Sequence, residues 1–149
     1  MRIKLTVFNQ IDRNGRVKVA NTKEEIENLL NNTNNFGHLL TNGLIDEIDE
    51  SLNSEERFLK QSTVDITKIV GKIENIEVIE NGSGFGGLPI YEVYGDITFL
   101  PKDGSKLIED CFDQNLVTIG IRALGQNRMV DNQIVTDITK VICWDTITR

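Results

Sequence analysis

Apolar and polar residues alternate along several parts of this chain, and alternation of this kind predicts β-strands with one buried face. The segment RIKLTVF at residues 2–8 is the first of them. The turn signal Asp-Arg-Asn-Gly at residues 12–15 follows, after which residues 16–20 are predicted to return as a short strand. Further strands are predicted at residues 63–80, 90–100, 116–123 and 134–146.

The segment LVTIGIRA at residues 116–123 shows strict alternation. Its residues Val117, Ile119 and Ile121 are predicted to point into the core from a central strand. The next residues, 125–127, are a glycine followed by two polar residues, and they are predicted to form a loop before the last strands.

Three segments have apolar residues at helical spacing. Thr22 and Glu25 form a T-x-x-E capping box, which predicts a first helix that ends near residues 31–32. The segment LIDEIDESL at residues 44–52 predicts a second short helix with an acidic face in solvent. A calcium loop is disfavoured there because no glycine stands where such a loop turns sharply. Ser105 is predicted to cap a third helix.

Two glycine-containing segments are predicted to be loops. Residues 37–43 form one of them. In the other, Gly82, Gly84 and Gly87 match the pattern G-x-G-x-x-G. A dinucleotide site would require this pattern to open a helix, but here a leucine, a proline and a predicted strand follow. Residues 82–87 are therefore predicted to be a mobile hairpin tip without a phosphate ligand.

The order of the predicted elements indicates an α+β fold. A strand is followed by helices, a hairpin, a helix and another hairpin, so antiparallel neighbours dominate. We expect a mostly antiparallel curved sheet or small β-barrel with two or three short helices. The chain has 149 residues, which fits a single domain over residues 1–149.

The charge balance is acidic, with 23 Asp and Glu against 16 Lys and Arg and a net charge of −7. No run of Lys or Arg forms the basic patch that nucleic-acid binders carry, so nucleic acid is disfavoured as a partner. Docking on an anionic membrane is disfavoured for the same reason. The start MRIKLTVFNQ lacks the apolar region of a signal peptide, and no apolar run reaches the length of a membrane span. We therefore expect an intracellular protein, or part of a particle assembled in a cytoplasm.

Few residues of this chain could carry chemistry. Cys111 and Cys143 form no C-x-x-C pair, and two isolated cysteines are more typical of buried thiols than of a disulfide or metal site. His38 is the only histidine and cannot form a zinc site alone. The motifs G-x-S-x-G, H-E-x-x-H and the Walker loop do not occur. No cofactor, no metal and no catalytic constellation are therefore predicted.

Six short motifs give the chain a recognisable order. They are Arg13-Asn14-Gly15-Arg16, Phe36-Gly37-His38-Leu39, Val64-Asp65, Val93-Tyr94-Gly95-Asp96-Ile97, residues 104–112 and Ile119-Gly120-Ile121-Arg122-Ala123-Leu124-Gly125. In this order and spacing they resemble the prohead proteases of tailed bacteriophages, which share a fold with the herpesvirus assemblins. The resemblance covers about residues 10–145 and implies the fold of that family.

The resemblance assigns the family's catalytic positions to residues that cannot do its chemistry. The serine nucleophile corresponds to Gly120 and the following serine to Ile121, and neither side chain has an oxygen. The histidine base corresponds to Thr41, while His38 stands at the position of the family's glutamate. Loss of the nucleophile alone removes most of the effect of a triad. The resemblance therefore implies a degenerate, inactive protease.

Two further residues do match the family's pattern. They are Arg122 and Gly125, and backbone donors near them could form an anion pocket. Such a pocket would stabilise an oxyanion only if a nucleophile stood beside it, and the corresponding position is Gly120.

The leading hypothesis is a non-catalytic phage protein on a prohead-protease-like fold. The resemblance implies a structural or assembly role with capsid or scaffold proteins as partners, in the virion or the host cytoplasm. A homo-oligomer is expected. The step from fold to role is an analogy.

Two alternatives remain open. The first is an active serine-type prohead protease with displaced catalytic residues, whose base would be His38. Its nucleophile would be one of the five serines of the chain, namely Ser51, Ser54, Ser62, Ser83 or Ser105. The second is a phage-encoded binding or inhibitor protein that acts against a host factor.

Overall fold

A computed structural model describes residues 1–31, 39–41, 55–56, 59, 63–64 and 66–148. The helix predicted at residues 44–52 lies outside these ranges. The described strands are β1 (Arg2–Phe8), β2 (Arg16–Lys18), β3 (Leu39–Thr41), β4 (Ile69–Ser83), β5 (Pro89–Phe99), β6 (Val117–Val130) and β7 (Gln133–Thr148). The described α-helices are α1 (Lys23–Asn31) and α2 (Asp103–Asp113), and short 3-10 turns lie at Ile66–Lys68 and Phe85–Gly87. The predicted α+β class is confirmed.

The strands form one mostly antiparallel, curved sheet that does not close into a barrel within the described residues. Its order is β1-β5-β4-β3-β7-β2, and β6 pairs with β7 along the other edge of that strand. Two short strands, β2 and β3, run parallel to β7, whereas every other described pairing is antiparallel. β3 replaces part of the loop predicted at residues 37–43. It lies between β4 and β7, and this position links the two halves of the sheet.

The central strand is β7, and the prediction that residues 116–123 are central was wrong. β7 has β6 on one side and both β2 and β3 on the other, whereas β6 pairs with β7 alone among the described strands. The apolar run of β7 at residues 141–144 is buried on both faces, which is typical of a strand inside a sheet. Within β6, Val117 and Ile119 are buried as predicted, but Ile121 is only partly buried against the core.

Side chains from both helices and from the sheet share one hydrophobic core. Trp144, Phe8 and Ile73 are among its largest fully buried members. α1 adds Ile26 and α2 adds Ile108, so each helix is held to the sheet by an apolar face. Burial of one such side chain stabilises the folded state by roughly 1.5–3 kcal/mol.

The two helices begin in different ways. At α1 the predicted cap is confirmed, because the amide of Glu25 donates to the Thr22 hydroxyl at 3.3 Å. The return bond of the predicted box is displaced by one residue, since the Glu25 carboxylate accepts from the amide of Asn21 at 3.0 Å. At α2 the predicted cap was wrong. Lys102 is the N-cap, and Ser105 lies inside the first turn, where its buried hydroxyl has no hydrogen-bond partner among the described residues.

The second hairpin is longer than predicted. β6 continues as a strand through residues 125–127, where a loop was expected, and the chain reverses only at Asp131 and Asn132. Both of these residues have a positive φ, of 49° and 66°, which is the geometry of a type I′ turn. An isolated glycine in a strand often marks a bulge, and the register of β6 against β7 shifts next to Gly125.

The glycine-rich segment at residues 82–87 connects β4 and β5, as the hairpin prediction required. Its backbone is tied to the end of β1, because the Phe85 amide donates to the Asn9 carbonyl at 2.8 Å. Asn9 itself is fully buried, and its side chain bonds to the backbone of Ala20 and Pro89 at 2.7–3.0 Å. Asn9 thus joins three segments of the chain. The mobility of the hairpin tip stays a prediction.

None of the described helices is long and apolar enough to cross a membrane.

Candidate functional site

The positions that the sequence assigned to a nucleophile and its base lie on either side of one residue, Asp145 of β7. In β6, Gly120 is opposite Asp145; in β3, Thr41 is opposite the same residue. Adjacent strands are about 4.8 Å apart, so the backbones of Thr41 and Gly120 are roughly 10 Å apart across β7. The sheet therefore brings together the two positions predicted from the sequence. His38 lies outside the described residues.

An ion pair occupies the space beside Gly120. The Arg122 guanidinium donates from Nε to Asp145 Oδ2 and from Nη2 to Asp145 Oδ1, both at 2.8 Å. Its third nitrogen, Nη1, donates to the carbonyl of Thr63 at 3.1 Å. The exposed fractions of the two side chains are 23% for Arg122 and 12% for Asp145. This planar, two-bond geometry is the strong form of an arginine–carboxylate pair.

A thiol completes this cluster. Cys143 is fully buried, and its Sγ lies 3.8 Å from Asp145 Oδ1, the same oxygen that Arg122 contacts. Burial and, after it, the neighbouring charge of Asp145 raise the pKa of the Cys143 thiol to about 12. The nucleophilic form of a cysteine is the thiolate. At neutral pH roughly one such thiol in 10⁵ is ionised, so Cys143 is a poor nucleophile.

Gly120 has room for a small side chain. A Cβ placed on it would lie 3.2 Å from Cδ1 of Ile147, so that side chain would need to shift by a few tenths of an ångström. The φ of Gly120 is not in the left-handed region, so the backbone does not require glycine here. The absence of a hydroxyl at this position is therefore a property of the sequence and not a demand of the fold.

Within the described residues, this arrangement links neighbouring strands. A protease site needs a nucleophile, a base near it and donors for the oxyanion. Among the described side chains, Arg122, Asp145 and Cys143 are the polar groups beside Gly120, and none of them is an activated nucleophile. The arginine that was expected near an anion pocket already binds a carboxylate in this structure.

The alternative serines occupy other places. Ser83 lies at the end of β4, in register with Pro89 of β5, and Ser105 is buried in the first turn of α2. Neither residue belongs to the cluster around Gly120. The remaining candidates, Ser51, Ser54 and Ser62, lie outside the described residues.

Sequence reasoning missed Asp145, and it identified Cys143 as a buried thiol but not as a member of this cluster. A signal was present, because an aspartate follows the apolar run VICW at residues 141–144. A carboxylate in such a strand must be paired if it is buried. The sequence could not show that its partner is Arg122, since that contact depends on the register of β6 and β7.

Other parts of the described structure offer little chemistry. Within the ranges given above, no group of three or more His, Cys, Asp or Glu side chains could hold a metal ion. An open groove of about 380 Å³ runs along the start of α2. It is lined by Phe99, Leu100, Pro101, Lys102, Asp103, Lys106 and Glu109. None of the residues around Gly120 contributes to this groove.

Comparison with known proteins gives one informative likeness. Among solved structures, the capsid assembly protease gp21 of bacteriophage T4 matches with a TM-score of 0.62 and 15% sequence identity. The match covers 100% of this chain and 81% of that one. No model of a protein family matches the sequence. No curated protein matches it either. The structural likeness establishes the fold, which is that of a prohead protease.

Proposed function

We propose that this chain is a non-catalytic protein of tailed-phage head assembly, which keeps the fold of a prohead protease and binds capsid or scaffold proteins. It would act in the host cytoplasm or in the virion. The fold supports the first half of this proposal, because the structural neighbour is named as a capsid assembly protease. The second half rests on analogy between proteins of one fold.

The observation that carries the non-catalytic part is the composition of the cluster around Gly120. The position assigned to the nucleophile has no side chain, and the strand position assigned to the base holds Thr41. A threonine hydroxyl does not take up a proton near neutral pH, whereas a histidine does. The neighbouring Arg122 guanidinium holds the Asp145 carboxylate through two hydrogen bonds and also donates to the carbonyl of Thr63. These features favour a structural pair over a catalytic one.

The binding part follows from what a protease of this kind must do before cleavage. A protease that acts inside a prohead has to bind the proteins of that particle, and such binding does not need the nucleophile. Loss of catalysis would therefore leave a binding surface in place. We also propose a homo-oligomer, because protein assemblies are commonly symmetric and built from repeated copies.

Binding to phage heads tests this proposal. Purified protein should co-sediment with proheads of the phage that encodes it, and the particle proteins should keep their full-length masses. The variant Gly120→Ser is the matched control, because it changes the degenerate position and leaves the rest of the surface unchanged; it should bind equally well. Capture of a host protein without binding to heads would support the inhibitor alternative instead. New fragments of particle proteins would support the protease alternative.

A further inference from the structure

The outer half of β6, residues 125–129, is an exposed strand with a partner on one side only. All five residues are exposed, while Asn127 lies opposite Thr136 and Met129 opposite Ile134 in β7. No strand pairs with the other edge of this segment among the described residues. Its outward backbone groups are therefore available to a further strand.

The hydrogen bonds of β7 show which groups point outward. The amide of Val19 donates to the carbonyl of Thr136 at 3.1 Å, so the backbone of Thr136 faces β2 and not β6. Opposite residues in an antiparallel pair either exchange both hydrogen bonds or neither. The N–H and C=O of Asn127 therefore point away from β7. Because strands alternate, the backbone groups of Gly125 and Met129 point the same way.

Beyond the register shift between Leu124 and Gly125 at its start, this edge has few of the features by which proteins usually block strand pairing. Such features include charged side chains, prolines and bulges along the edge. The segment GQNRM at residues 125–129 has no proline and no acidic residue. Its single charge is on Arg128, which forms an ion pair with Asp137 at 2.7 Å. The edge is thus locally neutral in a chain whose net charge of −7 makes contact between two copies unfavourable elsewhere.

We propose that two copies of this chain associate through this edge, with residues 125–129 of each copy paired as antiparallel strands about a two-fold axis at Asn127. In that register Asn127 of one copy lies opposite Asn127 of the other copy, and Gly125 of each copy lies opposite Met129 of the other. The outward backbone groups of these residues are the ones that would exchange hydrogen bonds.

The side chains suit this register as well as the backbone does. Met129 is 63% exposed in the single chain, and in the dimer it would lie over a residue without a side chain, Gly125 of the other copy. Gln126 would lie opposite Arg128, so no like charges would face each other directly. The segment is therefore complementary to itself, as a two-fold interface requires.

The dimer should be weak and concentration-dependent, since one short strand pair buries less surface than a standard protein interface. The inference rests on the geometry of β6 alone and does not depend on a role at the phage head. A monomer that still binds heads would overturn the dimer and the proposed homo-oligomer but not the binding to heads. A dimer that does not bind heads would overturn the proposed role at the head but not the dimer.

Sedimentation equilibrium over a wide concentration range tests the dimer. The mass should rise from the 16.8 kDa of one chain towards twice that value and no further. Asn127→Pro removes one outward N–H, and proline is tolerated at an edge position whose N–H faces solvent. This variant should dimerise at least about tenfold more weakly. Asn127→Ser is the matched control, because it loses the same side-chain amide but keeps the N–H; it should dimerise like the parent chain.

Several results would overturn the inference. They are a parent chain that stays monomeric at every concentration, growth beyond dimers, and equal dimerisation of the proline variant. A proline variant that failed to fold would leave hydrogen exchange of the parent chain as the readout. The amides of Asn127 and Met129 should then exchange more slowly at high than at low protein concentration. Exchange that does not depend on concentration would contradict the paired edge.

Discussion

Arg122 and Asp145 connect the two strands of one hairpin, β6 and β7, and they do so with two charges that are largely withdrawn from water. Asp145 lies in register with Gly120 on one side and with Thr41 on the other, so its carboxylate sits where three strands meet. Arg122 extends the connection to the carbonyl of Thr63, just before β4. At the scale of single residues, the ion pair between Arg122 and Asp145 is the main polar interaction that holds the strands of the candidate site together.

Removal of one partner of this pair should destabilise the fold. Asp145→Asn leaves a guanidinium beside a neutral amide, and we expect a loss of about 2–4 kcal/mol in the free energy of unfolding, slightly below that of a fully buried pair. Chemical denaturation of the parent chain and of the variant measures this difference in the free energy of unfolding. The exposed pair of Arg128 and Asp137 is the control, since Asp137→Asn should cost at most about 1 kcal/mol. Equal losses in the two variants would contradict a structural role for Arg122 and Asp145.

The hairpin between β4 and β5 shows how one element depends on close backbone contact. A Cβ on Gly84 would overlap the carbonyl oxygen of Asn9, whereas a Cβ on Gly104 in α2 would meet nothing within 4 Å. Asn9 can hardly move, because its buried side chain is fixed by three hydrogen bonds. The close approach of two backbones, rather than a nucleotide, explains the glycine at position 84.

Alanine at the two glycine positions should therefore have opposite effects. Gly84→Ala forces the hairpin away from β1 and should lower the free energy of unfolding by roughly 1–3 kcal/mol, the range for overpacked sites. Gly104→Ala should be neutral or raise it by up to about 1 kcal/mol, because alanine favours helix. Thermal denaturation of both variants measures the difference. A harmless Gly84→Ala would mean that the hairpin is not fixed against Asn9.

Elements whose apolar pattern repeats over many residues were predictable from the sequence. Short or irregular elements were not. The alternation in β1 and β5 and the capping box of α1 each identified an element close to its observed bounds, whereas the alternation in β6 identified the strand but not its end. A three-residue strand such as β3 has no period to detect, so it was predicted as a loop. Gly125 suggested a loop although it is part of a strand, because glycine occurs both in turns and in bulges.

The candidate site could be predicted only in part for a related reason. The sequence indicated that Gly120 and Thr41 belong to one site, and the pairing of β3, β7 and β6 brings them together. The neighbours of these residues were not predictable, because Arg122 and Asp145 are 23 positions apart and meet only through the strand register. Periodicity shows which face a side chain is on, but not which side chain lies opposite.

The whole molecule combines the fold of a prohead protease with a site that lacks an activated nucleophile among its described residues. The match to the T4 capsid assembly protease covers 100% of the chain. The position that the resemblance assigns to the nucleophile is Gly120, and the backbone does not require a glycine there. Our central proposal is that the molecule binds proteins of a phage head and cleaves none of them.

One measurement tests this claim most directly: mass spectrometry of capsid and core proteins after incubation with the purified chain, run together with a serine-directed fluorophosphonate probe. The account predicts intact partner masses and no labelled serine. Gly120→Ser should label weakly or not at all, because a hydroxyl without a positioned base is a poor nucleophile. Specific fragments that disappear in His38→Ala, or labelling of the parent chain that is lost when one serine is replaced, would contradict the account and identify an active protease.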